Sequence, residues 1–231
     1  MFEFVSKKEV SLARNEIEEV IHKVQDYLRE INILTFQYNL VGSASNRRHL
    51  VTRIKGGNQG FDMDYNIVIQ RLNNQYDDAK TIKTLLMNAF NKFLPSGYKN
   101  CEDSSSVFTI KKVNKHGKKI IYSFDFAIVA YIDEKINNPD FDEDYDNPDD
   151  EFYFIERQQY IAFNKNTQTY HWELRKIASD HRYMEQCVKS DSRIWNELID
   201  LYLEHKNSNS TKKSRIIYYE TLNQVYQKHF N

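Results

Sequence analysis

Three aspartates in this 231-residue chain stand where they could hold divalent cations over a phosphate. The segment GFDMDYNIVI, residues 60 to 69, alternates strictly, with Phe61, Met63, Tyr65, Ile67 and Ile69 on one side and Asp62, Asp64 and Asn66 on the other. Asp125 lies between Phe124 and Phe126 in a later β-prone stretch, which an adjacent pairing would bring beside the first two. Carboxylates gathered in this way raise one another's pKa unless cations with a preference for oxygen neutralise them, and magnesium, with manganese as substitute, is the natural occupant. A pair of such ions suits in-line displacement at phosphorus, with an alcohol as nucleophile.

A second group of residues suits the phosphate itself. Gly42 permits close approach of backbone N–H groups, and Ser43 adds a hydroxyl donor. The connection that follows carries Arg47, Arg48, Arg53 and Lys55, cations suited to a triphosphate tail and a departing pyrophosphate.

These residues need a scaffold, and the hydrophobic pattern predicts one. Ser6 and Glu9 have capping-box spacing, and Ala13, Ile17, Val20, Ile21, Val24 and Leu28 recur at helical intervals, so residues 7 to 30 read as an amphipathic helix. Residues 32 to 41 read as a strand ending at Gly42. Asp77 and Asp78 precede a helix whose apolar side is Ile82, Leu85, Leu86, Ala89, Phe90 and Phe93, stopped by Pro95 and Gly97. Residues 107 to 113 and 119 to 132 flank the turn NKHG and read as a hairpin whose tip carries Lys111, Lys112, Lys115, Lys118 and Lys119. Helical spacing is expected at 170 to 189, 192 to 205 and 214 to 229.

The arrangement resembles the DNA polymerase β-like nucleotidyltransferase superfamily: an apolar strand, Gly-Ser, Asp-x-Asp on a strand and a third acid on a later one, here over roughly residues 10 to 132. The leading helix and helical tail make the cyclic oligonucleotide synthases and oligoadenylate synthases the nearest members by layout. The connection from Ser43 to Asp62 is longer than usual in them, and the chain is short for a cyclic oligonucleotide synthase. The resemblance implies an α+β fold, with a palm-like mixed-sheet catalytic lobe over residues 1 to 135, an acidic connector over 136 to 151 and a helical lobe over 152 to 231. It implies that Asp62, Asp64 and Asp125 bind the metals, that Asp125 takes the hydroxyl proton, and that Gly42 and Ser43 meet the triphosphate. The expected reaction moves a nucleoside monophosphate from a nucleoside triphosphate, ATP among them, to a hydroxyl on a nucleotide, giving linear or cyclic oligonucleotides, on an RNA 3′ end or on a small molecule; the alternative is a non-catalytic nucleotide-binding module on the same fold.

Composition narrows the classes further. With 32 Lys plus Arg against 33 Asp plus Glu, no global charge attracts a polyanion, so a nucleic-acid acceptor would need local contacts. The lysine hairpin and Lys206, Lys212, Lys213, Arg215 and Lys228 are the candidates. Two distant cysteines, Cys101 and Cys187, and the lack of a signal peptide or apolar span predict a cytoplasmic protein without membrane association. The histidines show no zinc-binding spacing. The run PDFDEDYDNPDDE at 139 to 151 places Asp140, Asp142, Asp144, Asp146 and Glu151 at calcium-loop positions, but Tyr145 stands where that loop needs glycine. A solvated connector is the expectation.

Overall fold

The computed structural model describes residues 1–45, 48–72, 78–137, 152–175, 181–209 and 211–230. The acidic run 139 to 151, Arg47 and Asp77 lie outside them. The elements in chain order are β1 (Phe2–Phe4), α1 (Lys7–Glu30), β2 (Leu34–Val41), a 3-10 turn (Gly42–Ala44), β3 (Thr52–Ile54), β4 (Gln59–Leu72), α2 (Ala79–Phe93), β5 (Glu102–Asp103), β6 (Phe108–Val113), β7 (Ile120–Asn137), β8 (Phe152–Asn164), β9 (Thr169–Leu174), α3 (His181–Ser190), α4 (Ser192–Ser208) and α5 (Ser214–Phe230).

The expected α+β architecture is present as a mixed sheet with helices on its sides. Strand order runs β2-β4-β7-β6-β5, with β8 on β7 and β9 on β8. Of the pairings, β4 with β7 is parallel, and it sets Asp62 opposite Ser123 and Asp64 opposite Asp125. The odd residues Phe61, Met63, Tyr65 and Ile67 of β4 and the even residues Phe124, Phe126 and Ile128 of β7 are buried on the other face. There they meet Ile17, Val20, Ile21 and Val24 of α1 and Leu86 and Phe90 of α2. Each fully buried side chain of this kind contributes about 1.5–3 kcal/mol, so reversing the face of β4 would be prohibitive. The register of the core thus dictates which side the aspartates occupy.

Helix α1 begins as its sequence predicts, with Ser6 accepting from the Glu9 N–H at 3.2 Å and the Glu9 carboxylate reaching back to Ser6. Asp78 caps α2 through the Thr81 N–H at 3.0 Å. A second apolar cluster joins α3, α4 and α5 through Val188, Leu198, Tyr202, Ile217, Leu222 and Val225, and Leu50, from the connection after Ser43, belongs to it.

One expectation is corrected. Residues 152 to 174, assigned to a helical lobe, contain the strands β8 and β9, and the next described helix, α3, starts at His181. Strand β6 covers one edge of β7 from Ile120 to Phe126, which leaves the backbone of β7 from Val129 to Asn137 in need of partners. Strand β8 supplies them, pairing Val129 with Tyr160 and Asn137 with Phe152, and β9 adds to its outer edge. Residues 136 and 137, placed in the connector by the sequence, are the end of β7.

Candidate active site

The solvent side of the sheet gathers the predicted acids in two adjacent strands. Asp64 and Asp125 are register partners, and Asp62 is one pleat back along β4. Ser123 Oγ donates to Asp62 Oδ1, and Thr109 Oγ1, across from Asp125 on β6, donates to Asp125 Oδ1 at 2.5 Å. These hydroxyls aim the outer carboxylates and leave Asp64 between them.

The electrostatics follow from that crowding. Asp64 is pushed up from 3.8 to about 6, first by burial and then by the charges of Asp125 and Asp62. Asp125 is raised by burial, a shift opposed by the Thr109 hydrogen bond. Among the described residues, no group of three or more His, Cys, Asp or Glu side chains is already closed to metal-binding distance. What the face offers is a row of hard oxygen donors whose mutual repulsion a divalent cation would relieve, and that donor chemistry fits magnesium or manganese.

Strand β2 leads into the site from the other side. Val41 pairs with Asp64, and the chain then turns through Gly42 at φ +66° and Ser43 in the 3-10 turn. A left-handed conformation and the space left by the missing Cβ let the backbone of Gly42 lie against the Asp64 carboxylate. Gly42 and Ser43 are therefore brought to the acids, as their order in the sequence predicts.

The basic residues divide differently. Arg48 does not face the acids as a free cation: its guanidinium holds Glu185 of α3 at 2.7 Å and lies 4.3 Å from the centre of the Tyr218 ring. Lys55 is exposed in the turn after β3, and Arg53 pairs with Glu3 and Glu9. A cavity of about 610 Å³ beside Arg53, Gly56 and Gly57 is walled by Glu9, Leu12 and Glu16 of α1, so it opens on the helix side and not over Asp62 and Asp64. Four of the surface cations proposed for nucleic acid are paired: Lys111 with Glu102, Lys112 with Glu16, Lys212 with Glu220 and Lys228 with Glu197.

Lys206, grouped with those surface lysines by sequence, is instead buried at 9% exposure. Its ammonium donates to Thr52 Oγ1 at 2.5 Å and Ser214 Oγ at 2.8 Å, and no carboxylate among the described residues bonds it. Burial lowers its pKa, and the charge of Asp62 opposes that shift. A half-desolvated cation held by two hydroxyls and within the field of Asp62 is poised for an anion. Ser123, Thr109, Lys206 and Ser214 are the residues sequence reasoning missed in these roles. Ser123 and Asp125 share a strand face, a signal that was available; the meeting of α4 with β3 was not.

No family model matches the chain, and no curated protein matches it. Solved structures do. The chain is similar to Escherichia coli DncV in its 3'-deoxy GTP bound form, with a TM-score of 0.53 and 14% identity over 99% of this chain and 55% of that one. It is also similar to Vibrio cholerae DncV cyclic AMP-GMP synthase in complex with the linear intermediate 5' pppA(3',5')pG, with a TM-score of 0.51 and 14% identity over 96% of this chain and 54% of that one. The chain thus shares the fold of these proteins and spans a little over half their length. No helix among the described residues is long and apolar enough to cross a membrane.

Proposed function

We propose that this protein is a divalent-metal-dependent nucleotidyltransferase that moves a nucleoside monophosphate from a nucleoside triphosphate to an acceptor hydroxyl and releases pyrophosphate. The observation that carries the reading is the parallel register of Asp64 with Asp125, with Gly42 packed against Asp64 from the opposite strand. Fold likeness to a cyclic AMP-GMP synthase agrees with it and makes a linear or cyclic oligonucleotide a natural product class.

Asp62, Asp64 and Asp125 would hold the ions, which when bound neutralise the triphosphate and polarise the hydroxyl and the leaving oxygen. The chain's own residues do the rest. The Gly42 backbone and Ser43 hydroxyl bind and orient the phosphates. Lys206, steadied by Thr52 and Ser214, faces the pyrophosphate charge. Asp125, aimed by Thr109, accepts the proton of the acceptor hydroxyl as its oxygen bonds to the α-phosphorus and the bond from that phosphorus to the pyrophosphate oxygen breaks. A cytoplasmic location fits a nucleotide-consuming activity.

The test is incubation of the purified protein with each labelled triphosphate, ATP first, in magnesium and in manganese, with and without bulk RNA, followed by mass spectrometry of the products. Pyrophosphate and a nucleotidyl adduct are expected without RNA. Product only with RNA would redirect the acceptor to a 3′ end, and wild-type turnover by Asp62→Ala, Asp64→Ala and Asp125→Ala would end the reading.

A further inference from the structure

The cavity of about 610 Å³ beside the first turns of α1 has the size of a small-molecule site, for which about 300–1,000 Å³ is usual. Leu12, Ile54 and Ile121 line it and are 55%, 51% and 40% exposed. Scattered singly such side chains are ordinary, but around one hollow they leave apolar area that an occupant would take out of water. Phe61 and Tyr122, buried with ring centres 5.5 Å apart, add an aromatic wall. The turn from β3 into the start of β4 passes Gly56, Gly57 and Gly60, half of the six glycines, so no side chain fills the hollow from that side. At Gly56 nothing lies within 4 Å of where a Cβ would stand.

The charges around the cavity cancel. Glu3, Glu9 and Glu16 stand against Arg53, Lys112 and the exposed Lys119. Arg53 is held by Glu3 at 2.8 Å and Glu9 at 2.5 Å, and Glu16 accepts from Lys112 and, at 2.7 Å each, from the hydroxyls of Tyr98 and Tyr122. Burial pushes the Glu16 carboxyl up, but these bonds outweigh it and hold it below the usual range, so the network is ionised and internally paired. An anion in the cavity would have to displace a carboxylate from Arg53 or Lys112, and a cation would have to displace Arg53 or Lys112 from a carboxylate. A neutral molecule can use the remaining lone pairs and N–H groups without doing either. Phe61 precedes Asp62 on β4 and Tyr122 precedes Ser123 on β7, and neighbours on a strand point to opposite faces of the sheet. We infer that this cavity is a second ligand site, back to back with the three aspartates, for a small, uncharged, ring-bearing molecule. The site stands whether or not the aspartates transfer nucleotides.

The uncharged dye N-phenyl-1-naphthylamine, which fluoresces in apolar surroundings, tests the site in metal-free protein. One equivalent is expected to bind, and the Leu12→Gln, Ile54→Gln double variant should weaken it about ten-fold or more. Tyr183→Gln, at a ring 62% exposed and outside the cavity, should leave it unchanged. Circular dichroism should find both variants folded, because all three positions face solvent. In wild type, 1-naphthylmethanol should displace the dye at concentrations about ten-fold lower than 1-naphthylmethylammonium or 1-naphthoate, which differ from it in charge, and ATP with magnesium should not displace it. Unchanged binding in the double variant, equal loss in Tyr183→Gln, preference for either ion, or displacement by ATP would overturn the inference. Should the double variant unfold, the order of displacement in wild type decides alone.

Discussion

Gly42 and Asp64 share a space that admits no further atom: a Cβ on Gly42 would come within 2.5 Å of Asp64 Oδ2. Its φ of +66° adds a conformational demand that an L side chain meets only at about 1–2 kcal/mol. Gly42→Ala is therefore expected to displace the central carboxylate and lower kcat about 100-fold or more, with a small fall in Tm. Turnover at wild-type rate in saturating magnesium would sink this account.

Asp64→Asn should trade activity for stability. In the metal-free protein the Asp64 pKa rises from 3.8 to about 6, so the folded state holds its proton more tightly than the unfolded chain. The resulting penalty is absent below pH 3.8, grows as pH rises and is complete above about 6, where it amounts to roughly 3 kcal/mol. Denaturation in chelator should find Asp64→Asn more stable than wild type at pH 8 and nearly equal at pH 4, while nucleotidyl transfer falls by about a thousand-fold.

Lys206→Met keeps the length and removes the charge of a side chain that packs at 4.8 Å from the Phe2 ring centre and 5.7 Å from that of Tyr202. The fold should survive, as judged by circular dichroism, because an apolar chain suits that setting. The KM for triphosphate should rise about ten-fold or more. An unchanged KM would exclude Lys206 from the phosphate site.

Thr109 acts on Asp125 and not on the nucleotide. Its hydroxyl opposes the upward push of burial on that carboxyl, so Thr109→Val should move the acidic limb of the pH–rate profile to higher pH. The rate at pH 6 should fall more than the rate at pH 8. A uniform loss at all pH values would assign Thr109 a packing role.

Glu185 offers a test of the frame. Its carboxyl, bonded to Arg48 and Lys189, is held at about 2 instead of 4.5 despite its burial. Being depressed, it stabilises the fold fully above about 4.5, by roughly 3 kcal/mol, and loses that contribution as pH falls toward 2. Glu185→Gln should lower stability at pH 7 and flatten the loss between pH 4.5 and 2, measured by urea denaturation.

Much of this was legible because local rules decide it. The alternation around Asp62 and Asp64 fixes a strand face, and the caps at Ser6 and Asp78 fix helix starts, without knowledge of any distant residue. Arg48 illustrates the limit. A guanidinium after Gly-Ser suits phosphate by chemistry, yet its partner is 137 residues away, and charge type alone does not disclose it. Lys206 reads as a surface contact for nucleic acid until α4 is laid against β3. Strands β8 and β9 were missed because their aromatic, mixed-polarity sequence takes its conformation from the open edge of β7.

The Arg48–Glu185 tie also orders events in time. Chains are made from the amino end, and the strands bearing all three aspartates emerge well before α3. Until residues 181 to 190 have left the ribosome, the segment after Ser43 lacks its anchor, so the nascent sheet carries its acids without a secured grip for phosphate. Under the proposed function, the grip on phosphate is thereby completed only after α3 has been made.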